Sequence, residues 1–142
     1  MKLHRILLLT LFTLSGTLTL SAHHSVHGTY DSSNPVTLSG VITKSERRNP
    51  HTRIELEVPD VNGTGTVWII ELAAPRKLFE KNFDLALIDA GQHVTVEAWR
   101  ARDLQGPNKN WVAGRVLITR DGTRWDIHDA WADFLIAPGA PR

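Results

Sequence analysis

Apolar and polar residues alternate along five stretches of the chain, a spacing that is typical of half-buried β-strands. The predicted strands are Val36 to Glu46, Arg53 to Val58, Thr66 to Leu72, His93 to Arg100 and Trp111 to Thr119. The third stretch carries apolar residues on both faces and should be the most buried. After it, Pro75 precedes a short predicted helix from Arg76 to Lys81, and Asn82 is suited to end that helix in a left-handed conformation.

This order of elements is that of an OB-fold, a partly open barrel of five strands. We therefore predict an all-β protein with one short helix, arranged as a small OB-like five-stranded barrel over residues 36–120. A small β-sandwich built from the same strands is the alternative. Gly40 indicates a bulge or a sharp coil inside the first strand. The predicted core consists of Ile42, Ile54, Leu56, Trp68, Ile70, Val94, Val96, Val116 and Ile118.

The first 22 residues have the three-part pattern of a cleavable secretory signal peptide, with two basic residues, an apolar run and then small residues. The apolar run is too short to span a membrane permanently. We therefore expect no permanent membrane anchor and a periplasmic or secreted protein. Cleavage after Ser21 would leave His24 at the third position, whereas cleavage after Ala22 would make His23 the amino terminus.

The predicted organisation of the chain has four parts. A signal peptide (1–22) is followed by a His-rich segment (23–35), the barrel (36–120) and a carboxyl-terminal extension (121–142). In OB-folds, ligands bind near the loops after the first and fourth strands, here Arg47 to Thr52 and Ala101 to Asn110. For the extension, a short helix from Trp125 to Ile136 is one conformation that its apolar residues allow.

Charge and cysteine content exclude several classes of function. Without Lys2 and Arg5 in the leader, the sixteen basic residues fall to fourteen against fifteen acidic ones, so the mature net charge is −1. Nucleic-acid binding proteins normally have a basic surface, and we expect no nucleic-acid partner. The chain contains no cysteine, which excludes disulfides, thiol nucleophiles and thiolate metal sites.

Several short motifs along the mature chain resemble an uncharacterised family of exported bacterial proteins. They are Ala22-His23-His24-Ser25, Pro35-Val36-Thr37-Leu38 with Gly40, Asn49-Pro50-His51, Trp68 with Glu71, Pro75 with Leu78, and Gly91 with Val94 and Val96. The resemblance implies a periplasmic β-barrel. Because the family has no assigned activity, it implies no particular chemistry.

Histidines are the main candidates for chemistry. His23, His24 and His27 lie in one short segment, and His51 lies in the first of the two candidate binding loops. Neutral imidazole is the commonest metal ligand near neutral pH, and copper stands at the top of the affinity order for nitrogen sites. Copper is therefore the one cofactor that these residues suggest. The alternative is that they are solvated surface residues and that His51 only caps a turn.

Aromatic and basic residues suggest a second kind of site. Trp99 and Trp111 flank the loop after the fourth strand, and strand parity places both on the face opposite the core, where they could stack on a planar ligand. The alternative is that the apolar extension covers them. Arg47 and Arg100 are candidates for an anion-binding barrel mouth, or else they are ordinary solubilising charges.

These observations favour an exported binding or accessory protein for an unknown small ligand or a periplasmic partner protein. No nucleophile elbow, phosphate-binding glycine loop or zinc-protease motif is present, so we expect no enzyme and assign no catalytic residue. The carboxylates Glu46 and Glu71, and Asp126 near His128, have no diagnostic spacing. The alternatives are a periplasmic copper-binding protein that uses the amino-terminal histidines, and a copper oxidase with a histidine brace.

Overall fold

The computed structural model describes residues 29–103 and 109–128, and these residues form a mainly β structure with two short helices. The elements are β1 (Tyr30–Glu46), β2 (Thr52–Pro59), β3 (Gly65–Leu72), α1 (Pro75–Glu80), a 3-10 helix (Leu85–Ile88), β4 (His93–Ala101), β5 (Trp111–Thr119) and β6 (Arg124–Asp126). Within these ranges, neither helix has the length and apolar character needed to cross a membrane.

The strands are joined by hydrogen bonds in a ring. The sheet order is β3-β2-β1-β4-β5-β6, and β3 also pairs in parallel with β5. The ring therefore runs through β1, β2, β3, β5 and β4, with α1 between β3 and β4. This confirms the predicted all-β class with one short helix and the OB-like order, while the sandwich alternative describes the same strands equally well. Asn82 ends α1 with a φ of 57°, as predicted.

β1 is longer than predicted because Tyr30 to Pro35 belongs to it. The sequence of this segment looks like a polar turn, but Tyr30 and Asp31 pair with β4 before the register shifts ahead of Pro35. The side chain of Asp31 accepts hydrogen bonds from the backbone and hydroxyl of Ser33 and so holds the irregular stretch. Farther along, β1 leaves β4 at Val41, just after Gly40, and pairs with β2 from Val41 onward, and the register shift in this pairing lies between Ile42 and Lys44.

The core is largely as predicted, with one error in β5. Most of the predicted residues are fully buried, and Trp68 packs against them while partly exposed. Val116 and Ile118 are wrong, because both are partly exposed and Leu117 is the buried residue between them. The cause is a bulge: β4 pairs with Val116 and then with Gly114, which leaves Arg115 without a partner in β4 and reverses the parity beyond it.

The helical segment and the chain after β5 complete the core. Leu78, Phe83 and Ile88 from the helical segment join the same cluster as Ile127. Trp125 lies in β6, not in a helix, and its ring packs edge-on against Phe83 with centroids 5.6 Å apart. A helix beginning at Trp125 is therefore wrong, because this residue continues the pairing of β5. The remainder of the predicted terminal segment lies outside the described residues.

Candidate functional site

A second apolar cluster lies on the outer face of the barrel. Tyr30 and Trp99 are its large members, and each is about as buried as a core residue, at 4% and 5% exposure. Ala101 and Ala113 are the small residues beside them. Ala113 in β5 pairs with Trp99 in β4 on one side and with Glu71 in β3 on the other. Because its side chain is only a methyl group, the Tyr30 side chain can extend over β5 toward β3.

Glu71 is the centre of a polar group at the edge of this surface. The Tyr30 hydroxyl donates a hydrogen bond to Glu71 Oε2 over 3.3 Å. His51 Nδ1 lies 3.4 Å from Glu71 Oε1, and Arg53 Nη2 lies 3.8 Å from Oε2. The Glu71 side chain is only 17% exposed. We call Tyr30, His51, Arg53, Glu71 and Trp111 the Glu71 cluster, because the Arg53 guanidinium stacks 4.9 Å above the Trp111 ring.

Strand pairing explains why these residues meet. Arg53 in β2 is directly opposite Glu71 in β3, and Ala113 in β5 is opposite Glu71 on the other side. His51 comes immediately before β2, after a cis peptide bond at Asn49-Pro50. Tyr30 begins β1 and arrives from the far side of β4. Four strands of the ring therefore position one carboxylate and its neighbours.

The electrostatics of the cluster favour a protonated tyrosine beside Glu71. Burial, and then the negative charge of Glu71, raise the pKa of Tyr30, so its hydroxyl keeps its proton and acts as a donor. The carboxylate also faces Nδ1 of His51. Nδ1 is thus the ring nitrogen that faces Glu71, and Nε2 is the ring nitrogen left for other partners. The chemistry open to the cluster is therefore coordination through Nε2 of a histidine that lies beside a carboxylate.

A groove of about 200 Å³ adjoins the cluster beside Arg53 and Trp111. Its other charged residues are one lysine and two glutamates, and Lys44 Nζ lies 2.7 Å from Glu46 and 3.3 Å from Glu55. The Nε atom of Arg53 is buried and has no hydrogen-bond partner among the described residues. Arg53 therefore contributes a buried, unpaired donor beside the Trp111 ring.

The sequence matches a known family over residues 12–109, which is well over half of its length. This chain belongs to the family of unknown function DUF6152. The resemblance to an uncharacterised family is thereby confirmed. Searches against curated proteins and against solved structures give no match. The span shared with DUF6152 includes Tyr30, His51, Arg53 and Glu71, so the polar group around Glu71 lies within the region that defines membership.

The other candidates in this DUF6152 chain lie in different surroundings. Arg47 donates a hydrogen bond to the carbonyl of Leu85 over 3.0 Å and pairs with Asp89, so it ties the first loop to the 3-10 helix. Arg100 stacks on Trp68 at 5.1 Å. Neither belongs to the Glu71 cluster.

The two tryptophans proposed to stack on a ligand each have an arginine of the same chain over the ring. Arg115 lies 5.0 Å from the Trp99 ring centre, in addition to the pair formed by Arg53 and Trp111. Trp111 is the more exposed of the two rings and the one that lines the groove. Trp99 is therefore buried, whereas Trp111 is accessible and forms part of the groove wall.

The proposed metal ligands are only partly described. His51 is brought to Glu71, whereas His23, His24 and His27 lie outside the described residues. Between residues 29 and 103 and between 109 and 128, no group of three or more histidine and carboxylate side chains could hold a metal ion. Of the predicted metal ligands, the described part of this DUF6152 protein thus contains His51, which lies beside Glu71.

Sequence reasoning did not single out Tyr30, and it considered Glu71 only as a possible carboxylate partner of Glu46. Glu71 is the one charged residue in the otherwise apolar strand from Thr66 to Leu72, and Tyr30 is the only tyrosine of the chain. An isolated carboxylate in a strand predicted to be buried on both faces is a signal that it has a specific partner. That signal was available, but it could not identify the partners.

Proposed function

We propose that the mature protein is an exported OB-like binding protein that holds Cu(II) on the outer face of its barrel. In this proposal His51 is the ligand supplied by the barrel, and the amino terminus and imidazole of His23 supply the chelate. Export is supported by the signal-peptide pattern of the first 22 residues. His24 and His27 are additional donors in the same segment.

The contact between His51 and Glu71 is the observation that carries the proposal. Metal-binding histidines almost always direct their second ring nitrogen at a carboxylate, a carbonyl or a water, which fixes the ring and raises the basicity of the ligating nitrogen. Here Nδ1 faces Glu71 at 3.4 Å and Nε2 is left for a ligand. The His51 side chain is 24% exposed, so an ion can reach it.

Tyr30 supports the assignment of the remaining ligands. Its hydroxyl binds the same carboxylate that faces His51, so β1 begins beside the proposed site. His27 precedes Tyr30 by three positions and His23 precedes it by seven. Seven residues can span at most about 25 Å, which is more than enough for the amino terminus to return to His51.

Cleavage after Ala22 is the register that fits this arrangement. It places His23 first, where the α-amine and the imidazole chelate one ion and leave a position for a distant histidine. The α-amine loses its proton readily near neutral pH, and copper binds such nitrogen donors more tightly than other common divalent ions do. Cleavage after Ser21 would instead place His24 third, in a square-planar site of backbone nitrogens that does not use His51.

Two substitutions in the processed protein test the proposal. We expect His51→Ala to weaken Cu(II) binding by about 100-fold, and Glu71→Gln to weaken it by about 10-fold because His51 loses its supporting carboxylate. Isothermal titration with a competing chelator measures both changes. Circular dichroism of each variant verifies that the fold is retained.

The matched control is Glu55→Gln, which removes the same charge from the same outer face. Glu55 lies in β2 and pairs with Lys44, away from His51. We expect its Cu(II) affinity to equal that of the unmodified protein. If Glu55→Gln and Glu71→Gln weaken binding equally, the effect is one of net charge and the supporting role of Glu71 is wrong. Unchanged affinity in His51→Ala would contradict the proposed site itself.

A further inference from the structure

A separate cleft of about 570 Å³ lies at the other end of β4 and β5. It is formed where β4 begins at His93 and β5 ends at Thr119, whereas the Glu71 cluster lies at the opposite ends of these strands. Arg120, His93 and Gln92 provide its polar wall, and Val41, Leu87 and Trp125 provide an apolar one. The cleft is independent of the proposed copper site.

Arg120 is the unusual residue of this cleft. Each other arginine that the structure describes contacts either a carboxylate or a tryptophan ring. Within residues 29–103 and 109–128, Arg120 is the one arginine whose side chain has neither kind of partner. The Arg120 guanidinium, with its several N–H donors, is therefore unpaired within these ranges at the edge of the cleft.

His93 adds a second donor beside Arg120. The register pairs Val94 with Thr119, which places His93 across from Arg120 at the adjoining position. A smaller pocket of about 200 Å³ beside the cleft is lined by both residues. Both side chains can donate hydrogen bonds to an anion that lies between them.

Asp121 is the carboxylate of the cleft, but it is used by the turn between β5 and β6. Its Oδ1 accepts hydrogen bonds from the hydroxyl of Thr119 and from the backbone N–H of Thr123. These bonds hold it in the turn, and no ion pair joins it to Arg120 in the described part of the chain. The guanidinium therefore remains available to a ligand.

We propose that this cleft binds a small organic carboxylate with an apolar body. The carboxylate pairs with the Arg120 guanidinium, which matches it in a two-point geometry, and His93 stands beside it. The apolar body lies against Val41 and Trp125. A single guanidinium beside an apolar wall suits a monocarboxylate better than a phosphate, whose greater charge calls for more donors.

Phenylacetate is the test probe, with the neutral isostere phenylacetamide as the matched ligand. In ¹⁵N-correlated NMR spectra we expect phenylacetate to cause saturable shifts of the Gln92, His93 and Arg120 amides and of the Trp125 indole N–H. Phenylacetamide should bind at least about 10-fold more weakly, because a charge-assisted pair is replaced by a neutral one. Acetate should bind more weakly than phenylacetate because it lacks the apolar body.

The matched variants are Arg120→Gln and Arg76→Gln, both at exposed arginines. We expect Arg120→Gln to weaken phenylacetate binding at least about 10-fold with its other amide signals unchanged. Arg76→Gln, in α1, should bind normally. Equal binding of phenylacetamide, unchanged binding by Arg120→Gln, shifts that map outside the cleft, or no saturable shift at all would each overturn the proposal. Cu(II) affinity should be the same in both variants.

Discussion

Replacement of Gly40 by alanine is expected to lower the free energy of unfolding by about 3 kcal/mol. An alanine Cβ at this position would lie 2.0 Å from the carbonyl oxygen of Glu57, 2.8 Å from its carbonyl carbon and 3.1 Å from Val58 Cα. All three are backbone atoms and none can rotate away. Because β2 is also paired with β3 on its other side, relief requires moving β2 as a whole.

Gly65→Ala is the matched control, because its added Cβ would meet the side chain of Glu57, whereas the Cβ at Gly40 would meet the backbone of Glu57. The added Cβ would lie 2.3 Å from Glu57 Oε1, but this carboxylate is the end of an exposed, flexible side chain that can turn away. We expect a stability change within about 0.5 kcal/mol. Urea denaturation followed by tryptophan fluorescence compares the two variants. Equal destabilisation would contradict the close backbone approach at Gly40.

Leu117→Ala is expected to destabilise the protein by about 3 kcal/mol, the usual cost of removing a fully buried leucine side chain. Leu117 has no exposed surface and belongs to the core cluster. Ile118→Ala removes the same number of carbons from the next residue, which is partly exposed, and should cost about 1 kcal/mol. The same denaturation experiment measures both.

The comparison tests the bulge at Arg115 directly. Without the bulge, parity would bury Ile118 and expose Leu117, and the order of the two effects would reverse. A larger loss of stability in Ile118→Ala than in Leu117→Ala would therefore show that the register of β5 is wrong by one residue. The expected order supports the pairing of β4 first with Val116 and then with Gly114.

The strands could be predicted because alternation is a local property, whereas the error in β5 has its cause in the pairing with another strand. Val116, Leu117 and Ile118 are three apolar residues in succession, so their sequence is consistent with either parity. The choice is made by one unpaired residue, Arg115, which depends on contact with β4. The first residues of β1 were not predicted as strand because their sequence is polar. They are held in the sheet by pairing with β4 and by the hydrogen bond of the Tyr30 side chain to Glu71.

The candidate site was only half predictable for a similar reason. His51 stood out because of its residue type and its place in an OB-fold loop. Its partner Glu71 and the Tyr30 that binds Glu71 lie 41 positions apart, and they meet because β3 closes the ring against β5 and Ala113 leaves room between them. Such contacts depend on ring closure and on small residues in a neighbouring strand. The pattern along any one strand contains neither piece of information.

The processed amino terminus is the central claim, and it can be tested by one comparison of Cu(II) affinity. Intact mass spectrometry first establishes that the exported protein begins at His23. Copper is then titrated, with paramagnetic resonance as the readout, into this protein and into a chain that begins at Thr17, where His23 is too far from the α-amine to share a chelate. We expect the processed protein to bind one ion at least about 100-fold more tightly, with nitrogen ligation that His51→Ala reduces. Equal affinity of the two chains would contradict the claim that His23 and the Glu71-supported His51 form a copper site.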